Sequence, residues 1–148
     1  MKKKLLFIVF LLVCFVNTCF ASNGSVLDEE EKIADFFMGA VKGKGEYAEL
    51  ASNFTPGFAK AFTAVKFKET KEKVTTTFGD VKNVKLYSLE KLDKADRVIY
   101  LADATKVPNV EFSFVFSNAS SKPLLDAIVI RAVEVKKQAP AKQVKPQN

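Results

Sequence analysis

Residues 110–117 read VEFSFVFS, and this run constrains the fold more than any other stretch. In an extended chain Val110, Phe112, Phe114 and Phe116 fall on one side, and Glu111, Ser113, Val115 and Ser117 on the other. Three phenylalanines in a row on one strand face require an apolar layer laid over them. The rest of the chain has to supply that layer.

The cover is expected from the N-terminal half, where the apolar period is helical. Asp28-Glu29-Glu30-Glu31 is read as a first helical turn, because carboxylates there complement the positive end of the helix dipole. Ile33, Phe36, Phe37, Ala40 and Val41 follow as a stripe, and Gly43 and Gly45 end the helix. Ser22 to Leu27, polar and containing Gly24, reads as a lead-in. A shorter helix is expected from Glu46 to Phe54. Thr55-Pro56 then restarts the chain with an N-cap and a proline at the first helical position. Phe58, Phe62 and Val65 continue that segment. A further helix, Lys66 to Phe78, turns Phe67, Val74 and Phe78 inward and leaves its lysines and glutamates in solvent.

At Phe78-Gly79-Asp80 the period changes from 3.6 to two. Gly79 suits a helix C-terminus, and Asp80 suits the turn into a strand. Four strands are expected: Val84–Lys91, Arg97–Thr105, Val110–Ser117 and Leu125–Val133. The segments between them carry turn chemistry and are short enough for an antiparallel meander. The expectation is an α+β fold, with N-terminal helices packed on a curved four-stranded antiparallel sheet.

The first 21 residues read differently. Lys2, Lys3 and Lys4 precede an apolar run from Leu5 to Val16, too short for the roughly 20 residues that span a bilayer. Ala21 closes a signal-peptidase pattern, so a signal peptide over 1–21 and a secreted or periplasmic mature chain are expected. A retained anchor is the alternative. Lipoprotein processing at Cys14 or Cys19 is a further one, although Val13 and Thr18 are unusual residues to precede a lipidated cysteine. Both cysteines lie in this segment, so a chain cleaved at Ala21 has no disulfide and no thiol nucleophile.

The net charge of +6 invites a search for a polyanion partner, but the excess sits at the two ends. Residues 22–133 balance base against acid, which argues against a nucleic-acid face. The end segment 136–148, rich in Lys, Pro and Gln, is expected to be a disordered tail. It could give weak electrostatic contact with an anionic envelope, or serve only for solubility. Residues 22–135 form the single domain expected between leader and tail.

EKIADFFMGAVKGKGEYAELASNFT, followed by KEKVTTTFGDVKNV and four strands, resembles a bacterial family. It is similar to small secreted domains of unknown function with the nuclear transport factor 2-like, or cystatin-like, fold. The resemblance spans Glu30 to Val135 and rests on helix pattern, one glycine and strand order. It implies a cone of sheet closed by helices and open at one end. Ketosteroid isomerases and scytalone dehydratases carry out acid–base chemistry in cones of this kind. Fold alone does not transfer their activity.

Histidine is absent, which removes the commonest general base, the serine and cysteine triads and nearly all catalytic zinc sites. No phosphate-loop pattern occurs, and Lys42-Gly43-Lys44-Gly45 lacks the spacing for one. No metal site and no cofactor are expected. The candidates left for catalysis are Tyr47, Tyr100 and Asp103, with Asp35, Tyr87, Arg97 and Arg131 behind them. Each has a plain structural reading at a strand end or with its polar tip in water. Phe36, Phe37, Phe112, Phe114 and Phe116 could line a binding interior, although a packed core is their simpler role.

The sequence-level expectation for function is therefore a non-enzymatic module that binds a small apolar ligand or another protein, with a homodimer through the sheet as one form. The alternatives are an isomerase- or dehydratase-like cone enzyme and an envelope-associated protein held by its basic tail.

Overall fold

The computed structural model describes residues 18–134, so the apolar run from Leu5, Cys14 and the tail from Lys136 lie outside the described residues. Four helices precede four strands: α1 (Thr18–Val41), α2 (Tyr47–Ala51), α3 (Pro56–Ala61), α4 (Ala64–Phe78), β1 (Val81–Lys91), β2 (Ala95–Ala104), β3 (Asn109–Ser117) and β4 (Leu124–Val133). The strands form one open antiparallel sheet in the order β1-β2-β3-β4. The α+β class expected from the sequence is the class found. Among the described residues no helix is long and apolar enough to cross a membrane.

The VEFSFVFS run behaves as its alternation dictates. Val110, Phe112, Phe114 and Phe116 are buried, and register carries that inward face sideways to Val98 and Tyr100 on β2 and to Leu125 and Ile128 on β4. Helix α1 supplies the expected cover. The Phe37 ring meets the Phe114 ring edge-on, with centroids 5.5 Å apart, and Phe67 of α4 packs edge-on against Phe37 at 6.2 Å. Edge-to-face geometry puts a positive ring edge on a negative ring face, which adds to the area buried.

The local punctuation is mostly as expected. Thr55 caps α3, its hydroxyl accepting from Phe58 N at 3.1 Å, with Pro56 at the start of the helix. The same hydroxyl donates to Asp126 Oδ1 at 2.7 Å, and Thr55 N donates to Leu125 O at 2.9 Å, so the cap also ties α3 to β4. The segment expected to run on through Val65 instead breaks at Phe62 and restarts with a second N-cap, Thr63, whose hydroxyl accepts from Lys66 N. Val65 therefore points outward.

Gly79 follows α4 with φ +75° and ψ −143°, a backbone region open to glycine and strained for side-chain-bearing residues. A Cβ there would stand 2.1 Å from Thr105 Oγ1. Asp80 stabilises the turn through its backbone rather than its carboxylate: its N–H donates to Thr105 Oγ1 at 3.0 Å, and its carbonyl accepts from Thr105 N at 3.2 Å.

Two boundaries differ from expectation in ways that matter. Helix α1 begins at Thr18 and runs unbroken through the polar stretch Ser22–Leu27, so Asp28 to Glu31 lie inside the helix instead of at its first turn. Strand β2 begins at Ala95, drawing Asp96 out of the expected turn and pairing it with Lys91.

Candidate functional site

Moving those two boundaries buries two acids. Within a continuous α1, Val26, Glu30, Ile33, Ala34 and Phe37 recur at spacings of three and four and share one helix face. Glu30 is therefore turned toward the sheet, with 1% of its surface exposed. On β2, Asp96 shares parity with Val98, Tyr100 and Ala102, so it faces the same interior and is 3% exposed. The Lys91 ammonium, across the β1–β2 hairpin, donates to Asp96 Oδ2 and forms an ion pair with it.

Glu30 has no such partner. Both of its carboxyl oxygens are buried, and among the described residues neither receives a hydrogen bond. Loss of water at a carboxylate favours its neutral form. Burial accordingly pushes the Glu30 carboxyl up to about 7, a hydrogen bond to Asp96 and the Asp96 charge push the same way, and the Lys91 charge pulls it down. Two facing carboxylates offer only acceptors to one another, so a proton held by Glu30 is what lets it donate to Asp96. Even then the remaining Glu30 oxygen has no donor among the described residues.

Both acids line a cleft of about 420 Å³ at the hairpin end of the sheet. Val26 and Leu92 give it apolar wall, Pro123 adds to that, and Asn118, Ser120 and Ser121 of the β3–β4 loop give it a polar rim. The arrangement can do two things: accept hydrogen bonds from a ligand in a desolvated setting, and exchange a proton near neutrality. Among the described residues no cluster of three or more His, Cys, Asp or Glu side chains is placed to hold a metal ion.

The candidates picked from sequence are dispersed. Tyr47 donates from its hydroxyl to Phe62 O at 2.7 Å and packs its ring on Phe54 and Phe67. Tyr100 is buried under α1 with its ring edge-on to Phe114, and burial together with the Asp35 and Glu31 charges holds its phenol well above the usual range. Asp103 is exposed on the outer sheet face, accepting from Asn83 Nδ2 at 2.8 Å, and shares a surface depression there with Tyr87. Asp35 is exposed. Arg97 pairs with Glu90 at 3.1 Å, and Arg131 makes a two-pronged contact with Glu111 at 3.0 and 2.9 Å. Phe37, Phe112, Phe114 and Phe116 are buried in mutual packing, while half-buried Phe36 borders a groove between α1 and α2.

Neither Glu30 nor Asp96 was among those candidates. The signal for Glu30 was its place three, four and seven residues before Ile33, Ala34 and Phe37. For Asp96 it was a shared parity with Val98 and Tyr100. No protein-family model matches the chain, and no curated protein matches it.

Proposed function

We propose that the chain is a secreted, non-enzymatic module that binds a small ligand in the cleft floored by Glu30 and Asp96. The observation that carries this reading is the buried Glu30 carboxyl, whose oxygens receive no hydrogen bond among the described residues, on the lining of a cleft. A buried polar group without partners costs roughly 1–3 kcal/mol, and a bound donor would remove that cost. Phe37, Phe67 and Phe114 pack ring against ring between α1, α4 and β3, which favours the cleft over that part of the interior as the ligand's place. The helix-first order and one-sided sheet accord with a nuclear transport factor 2-like cone. Secretion is supported by the lysine start, the apolar run and Ala21.

Native mass spectrometry of the protein taken from its source tests the reading. A mass above that of the processed chain is expected, and Ser120→Trp, placed on the exposed rim, should abolish it. A wild-type protein that carries no adduct and shows no thermal shift with any small molecule of a broad set would contradict it.

One observation favours a second reading, an acid–base enzyme of the isomerase or dehydratase type. A carboxyl that titrates near 7 beside a cleft is suited to give and take protons at neutral pH. In that case a ligand recovered from prolonged incubation is chemically changed by wild type and unchanged by Glu30→Gln. Recovery of unchanged ligand from wild type would contradict the enzyme reading and leave the binding module standing.

A further inference from the structure

We propose that the ligand of the Glu30–Asp96 cleft is a small primary amine, bound as its alkylammonium ion with its N–H groups on the Glu30 carboxylate. This rests on the reading of the cleft as a binding site and narrows it to one chemical class.

The charged groups around Glu30 set the preference. Asp96 faces it from β2, and Lys91 reaches in from the end of β1; among the described residues these are the two charges that shift Glu30. With Glu30 ionised, two carboxylates face one ammonium and the cluster carries a net charge of −1. A cation restores balance, whereas an anion would add a third negative charge in a desolvated place. Lys91 shows what fits: its ammonium, on a four-carbon stem, already reaches the buried oxygen of Asp96. Glu30 lies beside that pair, and among the described residues its two oxygens receive no hydrogen bond.

The walls agree with a short alkyl chain. Val26 and Leu92 flank the acids, and Pro123 closes the apolar side, while Ser120 and Ser121 can meet a polar group at the far end of the ligand. An ammonium supplies three donors and no acceptor, which matches a floor made of acceptors. The cleft, about 420 Å³, is in the range of small-molecule sites and too small to admit a folded partner.

Binding also moves a proton. Below neutrality Glu30 holds a proton, and the incoming ammonium displaces it to solvent, leaving the carboxylate paired with the ammonium. Atoms and charge balance, since one cation enters and one proton leaves. Affinity should therefore rise with pH as Glu30 ionises, by about tenfold from about pH 6 to about pH 8 for a group titrating near 7.

Calorimetry on the purified chain with n-butylammonium, 1,4-diaminobutane, butyrate and 1-butanol tests this. Saturable binding of the two amines is expected, with a pH dependence of that sign. The heat should also vary between buffers of different ionisation enthalpy in proportion to the proton released, a readout that needs no variant. Glu30→Gln should weaken amine binding at least tenfold. Because a substitution at a buried site can disturb folding, Ser120→Trp on the rim serves as a second block. Binding of butyrate or butanol in preference to the amines would overturn the amine assignment while keeping the binding module. Amine binding that ignores pH and survives Glu30→Gln would overturn it too. No binding of any probe, together with a ligand-free protein from its source, would remove both readings.

Discussion

The carboxyl of Glu30 on α1 is buried beside that of Asp96 on β2, the residues being 1% and 3% exposed, and the Lys91 ammonium is paired to Asp96. An acid kept from water beside a second acid is a stability cost whose size depends on pH.

The sign of that dependence follows from the raised value. The folded chain holds the Glu30 proton up to about 7, whereas the unfolded chain releases it near 4.5. Between those values the native state binds more protons, so stability falls as pH rises through that window and levels off above it. The whole loss is on the order of 3 kcal/mol. Denaturant midpoints across pH should show the decline in wild type, and Glu30→Gln should flatten it and be the more stable protein at pH 8. A wild-type profile that is flat from about pH 5 to 8 would remove the buried-acid account.

Lys91 is the group that pulls Glu30 down. Lys91→Gln deletes that pull and should move the Glu30 titration above about 7, with the window of falling stability widening upward. It also leaves Asp96 buried without its counter-charge, so the variant should be less stable than wild type near neutrality, by roughly 3 kcal/mol at most. Titration of the variant below the wild-type value would contradict the arrangement of the three groups.

Phe114 is wholly buried between Phe37 and Tyr100. Phe114→Ala should cost about 3–5 kcal/mol, the usual range for emptying a core aromatic site. It should leave amine binding intact wherever the chain stays folded, since Phe114 does not line the cleft. Phe36→Ala, at a half-buried site, should cost clearly less. Equal costs at the two positions would show that the rings do not pack as described.

Gly79→Ala meets two obstacles at once, a backbone angle of +75° and an added Cβ 2.1 Å from Thr105 Oγ1. A loss of more than about 1 kcal/mol is expected. Thr105→Ala in the same chain should recover the part due to the clash and leave the backbone part. Complete recovery would mean that backbone strain at Gly79 is negligible.

Thr55→Val keeps the shape of the side chain and removes its two hydrogen bonds, to Phe58 N and Asp126. A loss of about 1–2 kcal/mol is expected, the range for a helix cap, and hydrogen exchange at Phe58 should quicken before exchange in β3 does.

The parts of this fold that were legible in the sequence are those where a period repeats undisturbed. Phe112, Phe114 and Phe116 announce a strand and its inward face, and Phe67, Val74 and Phe78 announce the inner face of α4. Thr55-Pro56 announces a helix start because the cap and the proline act locally. The candidate site was not legible for an equally local reason. Asp28 to Glu31 looks like a helix start when composition is weighed, and only the unbroken run of α1 from Thr18 turns Glu30 inward while its acidic neighbours Asp28 and Glu29 stay in solvent. Asp96 looks like turn chemistry until strand pairing with Lys91 draws it into β2. Both acids obey the periods of their own elements. Charged residues more often sit at element ends and in turns, where desolvation costs nothing, and these two do not.

The most direct test is a carbon-13 NMR titration of the Glu30 side-chain carboxyl in the full chain, with Glu30→Gln to assign the signal. A midpoint near 7 is predicted, shifting downward when n-butylammonium is added. A midpoint near 4.5, unmoved by the amine, would mean that Glu30 is an ordinary solvated carboxylate and would contradict the account of the site.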